Sequence, residues 1–258
     1  MIEILAASIL IGFIFAPLGC FVLWKRYVYY SDGLAHASML AAALSVIAGM
    51  PVIYAGTINA IFFALIVFKL KGHSGNSAAI GLVSSAMLSI ALLLAHIFPG
   101  QFNLGHLLFG DIFAANGNDL ISLSVVLVIT TSFILLTYNK LILTVLSKDI
   151  AQSRGLRVKM LEFLFLSILS FAVMSTIKIV GALLVTSIIL IPAMIARLIA
   201  KSPWSMIGIA IFFAQFMNLC GILLSRYADL PFAPIIILSG GVIYITIASF
   251  SYIYSKLS

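Results

Sequence analysis

Long apolar runs follow one another along the chain, and short polar gaps separate them. A helix that crosses the hydrocarbon core of a membrane needs about 20 apolar residues, because each residue advances the helix by about 1.5 Å. Nine stretches reach or approach that length, at about 4–23, 33–50, 51–70, 77–98, 119–139, 160–177, 179–199, 204–225 and 233–254. The pattern therefore predicts an all-α, polytopic membrane protein of about nine transmembrane helices.

Composition excludes a soluble enzyme. Apolar residues make up 64% of the 258 residues and charged residues 8%, against roughly 45–50% and 25% in soluble domains. A chain of this length could not hide so much apolar surface from water, whereas lipid removes the need to hide it. No soluble domain, linker or low-complexity tract is visible, so residues 1–258 are expected to form a single transmembrane domain.

Basic residues predict the orientation of these helices. The net charge of +7 does not indicate nucleic-acid binding, because the lysines and arginines lie in short gaps between apolar runs. With the N-terminus outside, 12 of the 14 basic residues fall on the inner side, and only Lys178 and Arg226 fall outside. Basic loops remain cytoplasmic, so the chain is expected in the plasma or inner membrane as a multi-pass protein. Glu3, Asp111, Asp119 and Asp229 fall outside, and an acidic outer face favours an incoming cation.

The inner loop at about 140–159 is the only sizeable one. Ser147 or Asp149 can cap a short helix there, and Gly155 can end it. One interpretation is a solvated basic loop. The other is a coupling helix that lies on a cytoplasmic partner, which the small residues Ala151 and Gly155 would allow to approach closely. The chain has no Gly-rich lysine motif for phosphate, so ATP-driven transport would need a separate ATPase subunit.

Asp32 and His36 are the most notable polar residues near a predicted span. They are four residues apart, so on a helix they share one face at roughly 5–6 Å. A carboxylate oxygen and an imidazole nitrogen suit zinc and other first-row metals. Two ligands are too few for a closed site, but a two-fold homodimer would bring together four. The alternative is that Ser31 or Asp32 caps the second helix and that His36 is a satisfied interior group.

Other polar residues carry weaker signals. His73, His96 and His106 are interpreted as incidental, whereas Asn59, Gln215 and Asn218 are expected to hydrogen-bond between helices. Residues 99–118 are too polar to span and are expected to form an outer interfacial or re-entrant piece. Cys20 and Cys220 lie in apolar runs, which favours buried thiols over a disulfide.

Several stretches, taken in order, resemble the permease subunits of ATP-binding-cassette importers for zinc, manganese and iron. The chain looks most similar to the zinc-uptake branch, and the resemblance covers residues 17 to about 238. The stretches are 17–24 (PLGCFVLW), 31–38 (SDGLAHAS), 108–112 (LFGDI), 118–120 (NDL), 149–151 (DIA), 154–156 (RGL), 178–187 (KIVGALLVTS), 191–193 (IPA), 196–197 (AR), 229–231 (DLP) and Pro234.

The resemblance implies a type II importer fold without enzymatic activity of its own. It implies that Asp32 and His36 lie on the metal pathway, and that loop 148–157, with Asp149, Ala151, Arg154 and Gly155, docks on ATPase subunits. It further implies a permease homodimer, an external metal-binding protein and a transported ion, zinc or else manganese or iron, in place of a permanent cofactor. Two departures are residues 75–81 (GNSAAIG), where an acidic residue is expected, and His106.

Three rival functions remain open at this stage. A permease of the same architecture could carry manganese, iron or a metal chelate. An ion-coupled secondary transporter would need no ATPase, but no internal repeat is apparent and Glu162 is the only acidic residue in a later span. An intramembrane enzyme would need a paired acidic, His-rich or Ser/His constellation, which the sequence lacks.

Overall fold

The computed structural model describes residues 2–74, 76–98, 110–182, 184–228 and 230–257. Within these ranges it contains ten α-helices and no strand. A single 3-10 turn, Ile112–Ala114, precedes the fifth helix. The helices are α1 (Ile2–Trp24), α2 (Val28–Ala48), α3 (Val52–Ser74), α4 (Asn76–Ile97), α5 (Gly117–Leu146), α6 (Lys148–Ser153), α7 (Val158–Val180), α8 (Val185–Ile199), α9 (Pro203–Ala228) and α10 (Phe232–Leu257).

Each of the nine predicted apolar stretches contains a helix, although the stretch 179–199 is interrupted between Val180 and Val185. Seven helices are long and apolar enough to cross a membrane, and α8 and the stretch Pro234–Phe250 of α10 are shorter apolar helices. The prediction of a multi-pass, all-α membrane protein is thus confirmed. The additional helix α6 lies in the predicted inner loop.

The seventh predicted span, 179–199, differs from the observed helices. Helix α7 continues to Val180, the chain turns at Gly181 with φ +87°, and α8 has only 15 residues. Fifteen residues rise about 22 Å, less than the roughly 30 Å of a hydrocarbon core. Gly181 and Ala182 are buried in the protein, which is where non-helical backbone is tolerated at membrane depth.

The second span also differs from its prediction, because α2 begins at Val28 and not near residue 33. Gly33 lies inside the helix, where it allows close packing. A Cβ atom on Gly33 would lie 2.6 Å from Cγ2 of Ile80 in α4. The missing side chain therefore lets α2 and α4 approach each other, as small residues do in membrane bundles.

The core of the bundle lies around α1, α2 and α7. In α1 and α2, 67% of the spanning window is buried, whereas the value for α5 is 22%. Gly19 brings α1 against α8 so closely that a Cβ there would overlap the carbonyl oxygen of Ile189. Helix α5 is therefore peripheral and presents most of its apolar surface to lipid.

Polar residues in the spans join neighbouring helices, as predicted. Asn59 of α3 donates to the carbonyl oxygen of Ala37 in α2 at 2.8 Å. Gln215 and Asn218 of α9 donate to α1, at Ile9 (3.0 Å) and Ser8 (2.6 Å). These bonds satisfy amides that lipid could not. Cys20 and Cys220 are both free thiols; Cys20 is buried as predicted, whereas Cys220 is only half-buried.

Candidate metal pathway and coupling surface

Asp32 and His36 lie on one face of α2, and that face points away from the rest of the chain. Asp32 Oδ2 and His36 Nε2 are 4.0 Å apart, and the two side chains are 55% and 38% exposed, respectively. Ser31, Gly33 and Leu34 beside them are buried. The pair is thus the accessible part of an otherwise packed helix.

The separation of the two atoms suits a shared ion. Zinc binds imidazole nitrogen at about 2.0–2.1 Å and carboxylate oxygen at about 2.0–2.2 Å, so two ligands of one ion lie at most about 4.3 Å apart. A tetrahedral angle would bring them to about 3.4 Å. A small side-chain rotation from the observed 4.0 Å reaches that distance.

Helix capping does not explain Asp32 or Ser31. The residue that caps α2 is Tyr27, which makes no side-chain capping bond. Ser31 lies inside the first turns and donates to the carbonyl oxygen of Val28 at 3.0 Å, and Asp32 follows it within the helix. The capping role that the sequence left open for Ser31 or Asp32 is therefore wrong.

One copy of the chain offers only a partial site. Among the residues that the structure describes, no group of three or more His, Cys, Asp or Glu side chains could hold a metal ion. Tyr29 is exposed on the same side of α2, three residues before Asp32. Sequence reasoning assigned Tyr29 no ligand role, although its spacing from Asp32 and His36 is helical. His96, at the end of α4, is exposed, whereas the side chain of His73 and all of His106 lie outside the described part.

A buried polar cluster lies at the start of α2. The Tyr27 hydroxyl donates to Glu162 Oε1 of α7, and Lys148 Nζ lies 3.7 Å from the same carboxylate oxygen. Burial, and then the contact with Glu162, raise the pKa of Tyr27. Lys25 Nζ donates to Thr144 Oγ1 of α5 at 2.9 Å. The α1–α2 link, the end of α5 and the start of α7 therefore meet at one end of the bundle, in agreement with the alternation predicted from charge.

The predicted short helix of the inner loop is present as α6. Ser147 accepts a hydrogen bond from the backbone N–H of Ile150 at 3.3 Å, and Gly155 follows the helix with φ +76°. Of the four predicted coupling residues, Asp149, Arg154 and Gly155 are exposed. Ala151 is fully buried against its own chain, so it anchors α6 and does not present a surface. Ile150 is exposed beside them, a residue that sequence reasoning did not single out.

Two stretches of the resemblance meet at the opposite end of the bundle. Gly110, with φ +65°, lies so close to Gly181 that an added Cβ would be 2.3 Å from the Gly181 nitrogen. The backbone N–H of Asp111 donates to the carbonyl oxygen of Lys178 at 3.1 Å. Residues 99–109 of the predicted outer piece, and Asp229, lie outside the described part. The neighbouring segment 110–119 is thus held against the α7–α8 turn.

Comparison with known proteins gives consistent matches over nearly the whole chain. A model described as the ABC 3 transport family matches residues 1–251. The high-affinity zinc uptake system membrane protein ZnuB of Haemophilus influenzae is 28% identical over 252 residues, which are 95% of this chain and 97% of that protein. The manganese import system permease protein ScaB of Streptococcus parasanguinis is 26% identical over 243 residues, 93% of this chain and 87% of that protein.

A solved structure shares the fold. PsaBC from Streptococcus pneumoniae in complex with Fab matches with a TM-score of 0.85 at 24% identity, and covers 95% of this chain and 89% of that chain. The likeness confirms the predicted helical architecture.

Proposed function

Since the chain belongs to the ABC 3 transport family and is a permease of a metal importer, we propose that it carries zinc across the membrane between two copies of itself, driven by separate ATPase subunits. The permease performs no bond chemistry. An external metal-binding protein delivers the ion to the outer face, and the helix packing alternates between two arrangements that open the path to one side at a time.

The exposed Asp32–His36 pair carries this proposal. An ionisable pair on a spanning helix is costly in lipid, which makes it a candidate for an ion path. The pair supplies one oxygen and one nitrogen at 4.0 Å, a set that suits zinc better than manganese, which prefers oxygen ligands. The zinc-uptake relative, 28% identical over 252 residues, supports the same ion.

A homodimer completes the ligand set. With the two-fold axis between the two α2 faces, the two Asp32 and two His36 side chains give four ligands, the number that zinc takes in proteins. The exposure of both side chains in one copy supports this arrangement, because a partner copy has room to reach them. Such a site holds the ion in passing and does not retain it as a cofactor.

Coupling to ATP is proposed to occur at α6. Its exposed residues Asp149, Ile150 and Arg154, together with Gly155, form a small surface at the end of the bundle that the charge count assigns to the cytoplasm. Ala151 anchors this surface from beneath. Two ATPase subunits that close on ATP would push on α6 in each copy.

Manganese is the second candidate ion. The relative named as a manganese import permease is 26% identical over 243 residues, close to the value for zinc. A permease of the same architecture could also carry iron or a metal chelate, and these are further alternatives. An ion-coupled secondary transporter would take up metal without ATPase subunits.

Uptake by the reconstituted complex tests the proposal. Proteoliposomes that contain permease, ATPase subunits and the external binding protein are supplied with zinc-65 or manganese-54, with and without ATP. We expect ATP-dependent zinc uptake that Asp32→Ala and His36→Ala reduce by at least about tenfold, while the matched control His96→Ala transports normally. Normal uptake by both variants would remove the proposed site, and uptake that needs no ATP would favour a secondary transporter.

A further inference from the structure

Glu162 is a buried carboxylate that joins two separate segments of the chain. It lies near the start of α7 and is 7% exposed. It accepts a hydrogen bond from Tyr27, which is itself buried, and it lies 3.7 Å from Lys148. A buried carboxylate is costly unless hydrogen bonds and an opposite charge compensate for it. These two contacts contribute to that compensation, so removal of either one should change the other.

Lys148 and Tyr27, both in contact with Glu162, belong to two functional parts of the proposed importer. Lys148 is the first residue of α6, the proposed ATPase-docking helix. Tyr27 is the residue at the start of α2, the helix that carries Asp32 and His36. Asp32 is five positions after Tyr27, which is about 7.5 Å along a helix. Because a helix moves as a stiff element, a displacement of Tyr27 reaches Asp32.

Further bonds hold the start of α2 in place. The Tyr30 hydroxyl and Ser170 Oγ of α7 are 2.7 Å apart. Together with the Tyr27–Glu162 hydrogen bond, this contact links the start of α2 to α7 at two points about one helical turn apart. On the other side of the link, Lys25 donates to Thr144 at 2.9 Å, close to the end of α5. The link between α1 and α2 is only three residues long, so it leaves α2 little freedom to move independently of these contacts.

The two contacts of Glu162 differ in a way that suits a transmission element. The contact with Tyr27 is buried on both sides, so α2 and α7 move together. In the contact with Lys148 the lysine side chain is 61% exposed and the distance of 3.7 Å is long for an ion pair. This contact can therefore lengthen or tighten as α6 moves, without exposing the core.

We propose that Glu162 is a positioning residue that transmits the movement of α6, through Tyr27, to the Asp32–His36 pair. This inference rests on the proposed function. Glu162 itself touches no ion. Its role is to make ATP closure at α6 change the position of the ligands, so that hydrolysis and ion passage remain linked.

The ratio of zinc ions transported to ATP hydrolysed tests the inference. It is measured in proteoliposomes with the complete complex, for wild type, Glu162→Gln, Tyr27→Phe and Lys148→Met. Lys159→Met is the matched control, because it removes another exposed positive charge near the start of the same helix as Glu162. We expect Glu162→Gln to lower the ratio by at least about threefold while ATP hydrolysis stays within about twofold of wild type.

The other variants sharpen the result. Tyr27→Phe and Lys148→Met should lower the ratio in the same direction, and Tyr27→Phe combined with Glu162→Gln should be no worse than Glu162→Gln alone. The exchange Lys148→Glu with Glu162→Lys should restore part of the ratio that each single change removes. Such rescue would support a pairwise link over a general effect on folding.

The opposing outcomes are distinct. If hydrolysis and uptake fall in parallel, so that the ratio stays at the wild-type value, Glu162 has a structural role only and the inference is wrong. The same holds if Lys159→Met lowers the ratio as much as Lys148→Met. If Glu162→Gln does not assemble, Tyr27→Phe, which retains the ring, decides the matter alone. A wild-type complex that takes up no metal overturns the proposed function and this inference together, whereas uptake of manganese in place of zinc leaves the test valid with manganese-54.

Discussion

Lys178 Nζ and Asp119 Oδ2 form an ion pair of 2.9 Å between the end of α7 and the start of α5. Lys178 is one of the two basic residues that the charge count assigns to the outer side. Asp119 neutralises the positive charge of Lys178. This explains structurally why Lys178 can lie on the outer side, against the positive-inside pattern. It also means that Asp119 contributes less to an acidic outer face than its sequence position suggests.

The orientation predicts which positions impermeant reagents can label. Asn118 is exposed beside this ion pair, and Ser153 is exposed in α6 at the other end. With a membrane-impermeant maleimide, we expect Asn118→Cys to react in intact cells and Ser153→Cys only after permeabilisation. Wild type, with the free cysteines Cys20 and Cys220, provides the background. Labelling of Ser153→Cys in intact cells would reverse the topology.

The contact between Gly110 and Gly181 predicts a steep cost for one added methyl group. Gly110→Ala would place a Cβ 2.3 Å from the Gly181 nitrogen, at a residue with φ +65°. We expect a loss of at least about 2 kcal/mol in folding free energy, seen as a lower melting temperature in detergent.

Gly117→Ala is the matched control for this change. Gly117 begins α5 and has open space around a Cβ, so the same substitution should leave the melting temperature almost unchanged. Equal melting temperatures for the two variants would mean that the backbone around Gly110 accommodates the added methyl group, which would contradict the prediction.

The exposed Ile150 predicts how α6 would bind the proposed ATPase subunits. An exposed isoleucine next to Arg154 on a short helix is suited to a hydrophobic contact at the centre of an interface. We expect Ile150→Ala to weaken binding of the ATPase subunits about tenfold, because such a truncation costs more than about 1 kcal/mol. The measurement is co-purification of the ATPase subunits over a concentration series.

Leu146→Ala is the control for Ile150→Ala. Leu146 is an equally apolar, exposed residue in the last turn of α5, and its truncation should not change binding. Undiminished binding of the Ile150→Ala variant would place the docking surface elsewhere on the inner side.

The buried phenol of Tyr27 predicts an alkaline limit to stability. Burial, then the hydrogen bond to Glu162, and then the charges of Glu162 and Tyr30, raise the pKa of Tyr27 above its ordinary value of 10.0. Because the folded state holds this proton more tightly than the unfolded state, the stabilisation is complete below about pH 10 and is lost as the pH rises further. We expect the melting temperature to fall between pH 9 and pH 11 more steeply in wild type than in Tyr27→Phe. Parallel curves would contradict the shift.

Local features of the chain were predictable from sequence. The spans follow from the length of the apolar runs, and the caps of α6 follow from Ser147 and Gly155, whose effects extend over three or four residues. The shared face of Asp32 and His36 follows from their spacing. Each of these predictions needs no knowledge of what packs against the segment.

Features that depend on distant contacts were not predictable. Tyr27 and Glu162 are 135 residues apart, and nothing in either segment indicates the other. Gly181, where α7 ends, packs against the backbone of Gly110, a contact that the apolar run through 179–199 does not reveal. Ala151 looks available in the sequence because it is small, but contacts with its own chain bury it.

The proposed half-site on α2 would have a consequence for how an ion is released. In the proposed dimer, each copy supplies one oxygen and one nitrogen. The affinity for the ion therefore depends on the distance between the two α2 helices. Metal–ligand bonds tolerate errors of only about 0.2 Å. A separation of the two α2 helices by about 1 Å would therefore cut the coordination number from four to two, and the ion would leave without protonation of any ligand or arrival of a competing one.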